Sequence, residues 1–230
     1  MFAAMLLSTT AQSAGNWSKP AEAAAYEGAW LIDLKASGLP GYGKTPPQLT
    51  KMGEDARAKN QHQRAAGDVS FDLTARCSNP GVPRIMSLPS PIQIFPRADQ
   101  VLIVFEWNHL LRQINVDGKE HEVLYNMAAG LSTGSWKSGK LVARTVGRND
   151  KTLLDDSIPN SEDLQVTEEF SVRRGGRILD YTVTIADPAI LLQPFARRYV
   201  FRKLRPEQFS DTDVCLDRVQ AGKPAVPKGF

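Results

Sequence analysis

Residues 101–118 read VLIVFEWNHLLRQINVDG, and this stretch decides the fold. It contains two runs of apolar and β-branched residues, and the dipeptide Asp117-Gly118 that closes the second run is a strong turn signal. The sequence therefore predicts two β-strands joined by a short reversal at residues 108–110.

The first of these strands has two apolar faces. In an extended strand, successive side chains point to opposite sides, so odd and even positions separate. The two faces are Val101, Ile103, Phe105 and Trp107 against Leu102, Val104 and Glu106. A strand of this kind is typical of a barrel filled by side chains, or of a sheet covered by a helix.

Charged residues flank the predicted reversal. If the reversal is centred on His109, Glu106 and Arg112 lie opposite each other on the same face of the hairpin. The sequence therefore predicts a partly buried ion pair between these two side chains.

The remaining segments predict one helix and further strands. Thr45-Pro46-Pro47 is a start signal for a helix over residues 48–66, because Thr can cap a helix and Pro suits its first turn. Residues 130–134 read as a turn before a strand, and strands are predicted at 30–34, 141–146, 165–172, 178–185 and 197–204. Helices do not alternate with these strands. We therefore predict a mainly β fold, an antiparallel meander that closes into a lipocalin-like barrel with the helix packed on it; a two-sheet sandwich is the alternative.

This pattern divides the chain into four segments. They are a signal-like segment at 1–14, an N-terminal extension with the helix at 15–66, the β-barrel domain at 67–218 and a C-terminal tail at 219–230. Residues 1–14 are apolar and then small and polar, as in a secretory signal, although no Lys or Arg precedes Phe2, so that a start upstream of Met1 is compatible with the pattern. We expect a periplasmic or secreted protein; a disordered N-terminus of a cytoplasmic protein is the alternative.

Composition disfavours two classes of partner. The 28 Lys and Arg residues exceed the 25 Asp and Glu residues by only three, and they are scattered along the chain. Nucleic acid binding usually needs a concentrated basic face, so no nucleic acid partner is expected. Apart from the signal-like segment, no apolar stretch approaches the roughly 20 residues that span a bilayer. The oligomeric state stays open, and a homo-oligomer is compatible with the sequence.

The chain has two cysteines, Cys77 and Cys215. In an oxidising compartment they could form one disulfide between the start of the β region and the C-terminal tail. A pair of buried free thiols is the alternative. A zinc site is a poor fit, because neither cysteine has nearby His partners.

One acidic residue lies on an apolar strand face. In the predicted strand at 165–172, Glu168 shares its face with Val166, Phe170 and Val172. A carboxylate there must be paired, hydrogen-bonded or raised in pKa, and such positions are frequent in working sites.

A set of spaced motifs resembles a large family of uncharacterised secreted bacterial proteins. The motifs fall between Pro46 and Cys215. They are C-x-x-P-G-x-P-R-x-M at 77–86, Glu106 with His109 and Arg112, S-x-G-x-W at 132–136, N-D-x-T at 149–152, S-E-x-L at 161–164 and Asp187-Pro188. The resemblance implies export, a common fold and a disulfide between Cys77 and the second cysteine, and it implies no particular reaction.

Departures from the family pattern bear on metal binding. Leu131 and Asn160 stand where the family shows histidines. A three-histidine site would need the remaining ones to converge from a helix and a hairpin, and they are His62, His109 and His121. We therefore predict no metal site. No dinucleotide, phosphate-loop or hydrolase motif is present, so no cofactor is predicted either.

The first function hypothesis is a cofactor-independent lyase or isomerase that acts by acid/base chemistry on a small lipophilic or aromatic molecule inside the barrel. Glu168 or Glu106 would be the base, and Arg112 or His109 would stabilise developing negative charge. The substrate-binding residues would be Trp107 and Trp136 as stacking surfaces, together with Asn149, Asp150 and Tyr181.

Two other classes of function compete with this hypothesis. The first is a non-catalytic exported carrier that uses the same barrel for a hydrophobic small molecule. The second is a structural or envelope-interaction protein without a pocket. For the individual residues, the alternative to a catalytic role is structural: Glu106 and Arg112 would be a buried pair that fixes the hairpin, and Asn149 and Asp150 would cap a loop.

Overall fold

The computed structural model describes residues 20–39, 46–210 and 214–226. The signal-like segment predicted at residues 1–14 lies outside this part of the chain. Nine strands occur within it, which are β1 (Gly28–Ile32), β2 (Ile92–Pro96), β3 (Gln100–Phe105), β4 (Leu111–Asn115), β5 (Leu131–Lys137), β6 (Lys140–Val146), β7 (Gln165–Arg173), β8 (Ile178–Ala186) and β9 (Phe195–Lys203). The helices are α1 (Lys51–Ala65), α2 (Cys215–Gln220) and short 3-10 turns at Ala21–Tyr26, Arg84–Ser87, Trp107–His109 and Pro206–Gln208.

The strands form one closed barrel in which each strand pairs with the next along the chain. β1 closes it by pairing antiparallel with β9, where Trp30 lies opposite Lys203 and Ile32 opposite Phe201. The predicted meander that closes into a mainly antiparallel barrel is confirmed. The barrel also includes β1, which lies in the segment 15–66 that the sequence assigned to an extension.

One pair of neighbouring strands is parallel. β4 and β5 meet at a single bridge between Asn115 and Thr133, whereas the other neighbours are antiparallel. A closed ring with an odd number of strands cannot alternate throughout, so one parallel pair is unavoidable. An eight-stranded up-and-down barrel of the lipocalin type has no such pair. Because parallel neighbours need a crossover connection, residues 116–130 run back along the barrel between β4 and β5.

Strand β5 occupies residues that the sequence assigned to a turn. The glycine-rich stretch suggested flexibility, but Gly134 has a different reason to be glycine. A Cβ atom at Gly134 would come within 2.8 Å of the Val142 carbonyl oxygen and 3.1 Å of Ile114 Cγ2. The missing side chain lets β4, β5 and β6 approach one another, and the turn prediction at 130–134 is wrong.

The hairpin of β3 and β4 forms as predicted, but its charges do not meet. β3 ends at Phe105, and residues 106–110 make a reversal in which Asn108 and His109 have positive φ values of 55° and 53°. In the resulting register, Arg112 lies opposite Ile103 and points into the barrel. Glu106 instead accepts a hydrogen bond from the Ser210 backbone N–H at 2.8 Å. The predicted Glu106–Arg112 ion pair is therefore wrong.

Helix α1 lies within the predicted range 48–66. It begins at Lys51, after the predicted start signal Thr45-Pro46-Pro47. Its first turn is capped by Thr50, whose side chain accepts a hydrogen bond from the Gly53 N–H at 3.1 Å; Thr45 lies outside the described residues. Gly53 packs directly on the Ile190 carbonyl, and Asn60 donates to the Ser157 carbonyl at 2.8 Å. The helix thus contacts the β8–β9 and β6–β7 connections.

Large side chains occupy the interior of the barrel. The alternation along each strand turns one set inward, and aromatic members of this set are fully buried: Trp30, Phe105, Phe170, Tyr181 and Phe201. The C-terminal segment is attached by a disulfide between Cys77 and Cys215, which the two-cysteine count had left open. Among the described residues, no helix is long and apolar enough to span a membrane.

Candidate functional site

The barrel interior contains an ion pair between Arg112 of β4 and Glu168 of β7. Arg112 Nη1 donates to Glu168 Oε1 at 2.8 Å, and Nη2 donates to Oε2, so the contact is bidentate. Both residues are almost fully buried, with 7% and 1% of their surfaces exposed. Alternation along β4 and β7 turns both side chains into the barrel. The Glu168 carboxylate, although it lies on an apolar strand face, is therefore paired with the Arg112 guanidinium.

Three hydroxyl groups complete the network around Glu168. Tyr181 of β8 donates to Oε1 at 2.8 Å, and Thr145 of β6 donates to Oε2 at 3.3 Å. The Ser132 and Thr145 hydroxyl oxygens are 2.7 Å apart, and both accept from Arg112 Nη2 at 3.2 Å. Because Thr145 gives its proton to Glu168, Ser132 donates to Thr145. Each carboxylate oxygen of Glu168 thus accepts two hydrogen bonds.

The charges of this network set the protonation of its members. Burial raises the pKa of Tyr181 well above its usual value, and the neighbouring Glu168 charge adds to the effect. Burial opposes the charged form of Arg112, but the Glu168 carboxylate outweighs it, and the pKa of Arg112 is raised. At neutral pH the site therefore presents a fixed cation and a neutral phenol.

A cavity of about 390 Å³ lies beside this network, lined by residues of β4, β5 and the crossover connection. We call it the β4–β5 cleft. It is lined by Leu111, Arg112, Gln113, Asn115, Glu122, Val123, Leu124, Tyr125, Met127, Ala129, Gly130, Leu131 and Ser132. Its volume lies within the range of about 300–1,000 Å³ that is usual for small-molecule sites.

The outer part of the cleft is apolar and unusually exposed. Leu124, Tyr125 and Leu111 are 80%, 67% and 57% exposed. Clustered exposed apolar side chains around a concavity are typical of a binding surface. At the inner end, Arg112 and Ser132 line the same cleft. Because Arg112 and Ser132 also belong to the interior network, they connect the cleft to the polar groups inside the barrel.

A second arginine, Arg148, lies behind the cleft. It is fully buried, and its Nη2 donates to Thr152 Oγ1 and, at 3.5 Å, to the Pro80 carbonyl. Its Nε and Nη1 atoms have no hydrogen-bond partner among the described residues. Burial, followed by the charge of Arg112, lowers the pKa of Arg148 to about 9.

The structure brings together three of the predicted site residues, namely Glu168, Arg112 and Tyr181. Two others lie in the reversal after β3: Glu106 bonds to the Ser210 backbone, and His109 is exposed. Neither is part of the interior network. Only one of the two predicted bases is therefore inside the barrel.

The predicted substrate-binding residues are spread over the molecule. Trp107 is fully buried and donates to the Ala225 carbonyl at 2.8 Å, which fixes the C-terminal segment. Trp136 packs edge-on against Tyr26 with ring centroids 5.0 Å apart. Asn149 accepts a hydrogen bond from the Lys151 N–H at 3.2 Å within a loop. Asp150 is exposed in the same loop.

Sequence reasoning missed three polar members of the site, which are Ser132, Thr145 and Arg148. A signal for one of them was present. Leu141, Ala143 and Thr145 are two positions apart on β6 and share one face of the strand. The apolar character of this face predicts that the Thr145 side chain points inward. The assignment of residues 130–134 to a turn hid Ser132. Arg148 lies beyond the strand, and no periodicity predicts its burial.

The described residues contain no group of three His, Cys, Asp or Glu side chains that could hold a metal ion. His121 is hydrogen-bonded to Asp117 Oδ1 at 3.0 Å, while His62 and His109 are exposed on separate elements. The interior network consists of guanidinium, phenol and hydroxyl groups around one carboxylate, that of Glu168.

Comparison with known proteins adds no family: no protein-family model and no curated protein matches the chain.

Proposed function

We propose that the protein is a non-catalytic binding protein for a small lipophilic molecule, which it holds in the β4–β5 cleft. The observation that carries this proposal is the cleft itself: a cavity of about 390 Å³ with an exposed apolar rim and a polar inner end. Bulky side chains fill the interior, and the cleft shares Arg112 and Ser132 with the barrel network, so a ligand in the cleft can contact that network.

The acid/base reaction suggested by the sequence has weaker support. A general base needs a free lone pair within reach of the proton that it removes. Both oxygens of Glu168 are engaged by Arg112, Tyr181 and Thr145, and the side chain of Glu168 is completely buried. A buried pair of this kind orients neighbouring groups and fixes the fold more readily than it exchanges protons.

The proposal includes an exported location and membership of the secreted bacterial family that the motifs resemble. The Cys77–Cys215 disulfide supports export, because disulfides persist mainly in oxidising compartments. An exported carrier would protect a lipophilic molecule from water during transit. The apolar rim of the cleft fits this task better than it fits a reaction.

The test is a binding titration with the neutral fluorescent probe N-phenyl-1-naphthylamine. We expect saturable binding at one site per chain. The substitutions Leu124→Ser and Tyr125→Ser remove exposed apolar contacts without disturbing the core, and each should weaken binding by about tenfold, equivalent to roughly 1.4 kcal/mol. Leu216→Ser is the matched control, because Leu216 is similarly exposed but lies on α2, away from the cleft. Equal binding by all four proteins would contradict the assignment of the cleft.

A second measurement separates carrier from enzyme. Wild type and Glu168→Gln are incubated with a pool of aromatic and terpenoid compounds, and all masses are followed. A carrier retains a compound unchanged in wild type. Conversion of any compound by wild type would overturn the carrier proposal. Loss of that conversion in Glu168→Gln that is shown to be folded would assign the reaction to Glu168.

A further inference from the structure

Two buried guanidinium groups, those of Arg112 and Arg148, lie beside the cleft, and only one of them forms an ion pair with a carboxylate. Glu168 pairs with Arg112, and no ion pair joins Arg148 to a carboxylate in the described part of the chain. A buried cation without a counter-ion is costly, because its hydration is lost and nothing replaces it. One positive charge is therefore uncompensated on the inner side of the cleft.

The same groups also hold unused hydrogen-bond donors. Arg112 Nε and the Nε and Nη1 atoms of Arg148 are buried, and within residues 20–39, 46–210 and 214–226 they have no acceptor. Buried donors almost always have a partner in native proteins, either a protein atom, an ordered water or a bound ligand. The mutual repulsion of the two guanidinium groups contributes to the lowered pKa of Arg148 and favours an acceptor that carries negative charge.

Arg112 lines the cleft directly, whereas Arg148 approaches it beneath Gly130. Gly130 lines the cleft, and a Cβ atom there would come within 2.6 Å of Arg148 Cδ. The Arg148 guanidinium packs against Gly81, where a Cβ atom would lie 2.0 Å from Nη2 and 2.1 Å from the Ala128 carbonyl oxygen. Arg148 therefore lies directly beneath the segment that forms the floor of the cleft, while Arg112 forms part of that floor.

We propose that the ligand of the β4–β5 cleft is an amphiphilic monocarboxylic acid. Its carboxylate binds Arg112 and is attracted by the charge of Arg148 beneath the cleft, while its apolar body lies against Leu111, Leu124 and Tyr125. This inference rests on the proposed function and specifies its ligand. A carboxylate supplies acceptor lone pairs to the unused N–H groups and balances one positive charge. A cation would add to the surplus charge, and a neutral lipid would leave it uncompensated.

The test compares decanoate with decan-1-ol, which differ only in the head group. Calorimetric titrations use the full chain near neutral pH. Decanoate is kept below its critical micelle concentration, and decan-1-ol is kept below its solubility limit. We expect wild type to bind decanoate at least about tenfold more tightly than decanol, because charge-assisted hydrogen bonds are roughly twice as strong as neutral ones. Arg148→Met should abolish this preference, so that the ratio of the two affinities falls to about one. Arg144→Met is the matched control, because Arg144 lies on β6, close to Arg148 in the sequence, and has an exposed side chain.

Each outcome has a separate meaning. Equal binding of decanoate and decanol by wild type would overturn the acidic ligand and leave the proposed carrier function intact; internal water would then satisfy the arginines. A preference for decanoate that survives in Arg148→Met would also overturn the inference. Failure of wild type to bind decanoate, decanol and N-phenyl-1-naphthylamine would overturn both proposals.

A second measurement uses wild type alone, so its result does not depend on whether the Arg148→Met variant folds. Arginine side-chain NMR reports the Nε–H signals directly. Decanoate, but not decanol, should shift two buried Nε–H signals, which belong to Arg112 and Arg148. If decanoate leaves all buried arginine signals unchanged, its carboxylate does not bind there and the inference is wrong.

Discussion

Arg112 and Glu168 are 56 residues apart and meet inside the barrel as a bidentate ion pair, although their strands β4 and β7 are not neighbours. The pair therefore joins separate parts of the barrel wall across the interior. Its environment also contains Arg148, whose favourable charge interaction is with Glu168. The Glu168 carboxylate thus pairs directly with Arg112 and also attracts the buried Arg148 guanidinium through its charge.

Removing the charge of Glu168 should be strongly destabilising. Glu168→Gln leaves Arg112 as a buried unpaired cation, and we expect a loss of about 3–5 kcal/mol in the free energy of unfolding by urea. The control is Glu169→Gln on the same strand, where Glu169 forms an exposed ion pair with Lys140. Exposed pairs contribute little, so the control should lose less than about 1 kcal/mol.

Arg148→Met should partly offset this loss. Without Glu168 the interior contains two guanidinium groups that repel each other, and removal of one relieves the repulsion. We expect the double variant to lose about 1–2 kcal/mol less than the sum of the two single losses. Additive losses in the same urea experiments would show that Arg148 does not share the charge of Glu168.

Gly130 should tolerate no side chain. Its φ is +67°, and a Cβ atom would lie 2.6 Å from Arg148 Cδ and 2.7 Å from the Val146 carbonyl oxygen. The matched control is Gly139→Ala, because Gly139 also has positive φ but open space around it. We expect about 1 kcal/mol of destabilisation in the control from backbone strain alone and clearly more in Gly130→Ala. Equal melting temperatures of the two variants would contradict the close approach.

Tyr26 should contribute stability that is lost at alkaline pH. Burial raises the pKa of Tyr26 from 10.0 to about 12, and its hydroxyl donates to the Phe170 carbonyl at 2.9 Å. A group whose folded pKa is raised stabilises fully below its unfolded pKa and loses this effect as pH rises through its folded pKa. The stability difference between wild type and Tyr26→Phe should therefore narrow between about pH 10 and pH 12.

The disulfide should contribute substantially to stability. Cys77 and Cys215 close a loop with a sequence separation of 138, and the chain-entropy argument gives up to about 4–5 kcal/mol for such a loop. We expect the double replacement of both cysteines by alanine to lower the free energy of unfolding by about 2–5 kcal/mol. It should also expose the C-terminal segment held by Trp107 to proteolysis. Unchanged resistance to protease would show that the Trp107 contact alone holds this segment.

Local patterns predicted much of the barrel wall. The strands predicted at residues 165–172 and 178–185 occur as β7 and β8, and the β3–β4 hairpin occurs where alternation and turn residues placed it. The prediction went wrong at β5, because Gly134 is required by close packing of neighbouring strands rather than by a turn. It also went wrong at Glu106, because the register of a hairpin depends on where its strands end.

The sequence by itself determined which face of each strand is apolar, and this placed Glu168 inside and required that its charge be satisfied. Only the tertiary structure decided how. The partner of Glu168 comes from a strand that is distant in sequence and that becomes close only when nine strands curve into a closed barrel. Closure with an odd number of strands also requires one parallel pair, which is β4–β5, and the cleft lies beside that pair and its crossover connection. Neither ring closure nor the burial of Arg148 has a local periodicity, because both arise from contacts among strands and loops far apart in the chain.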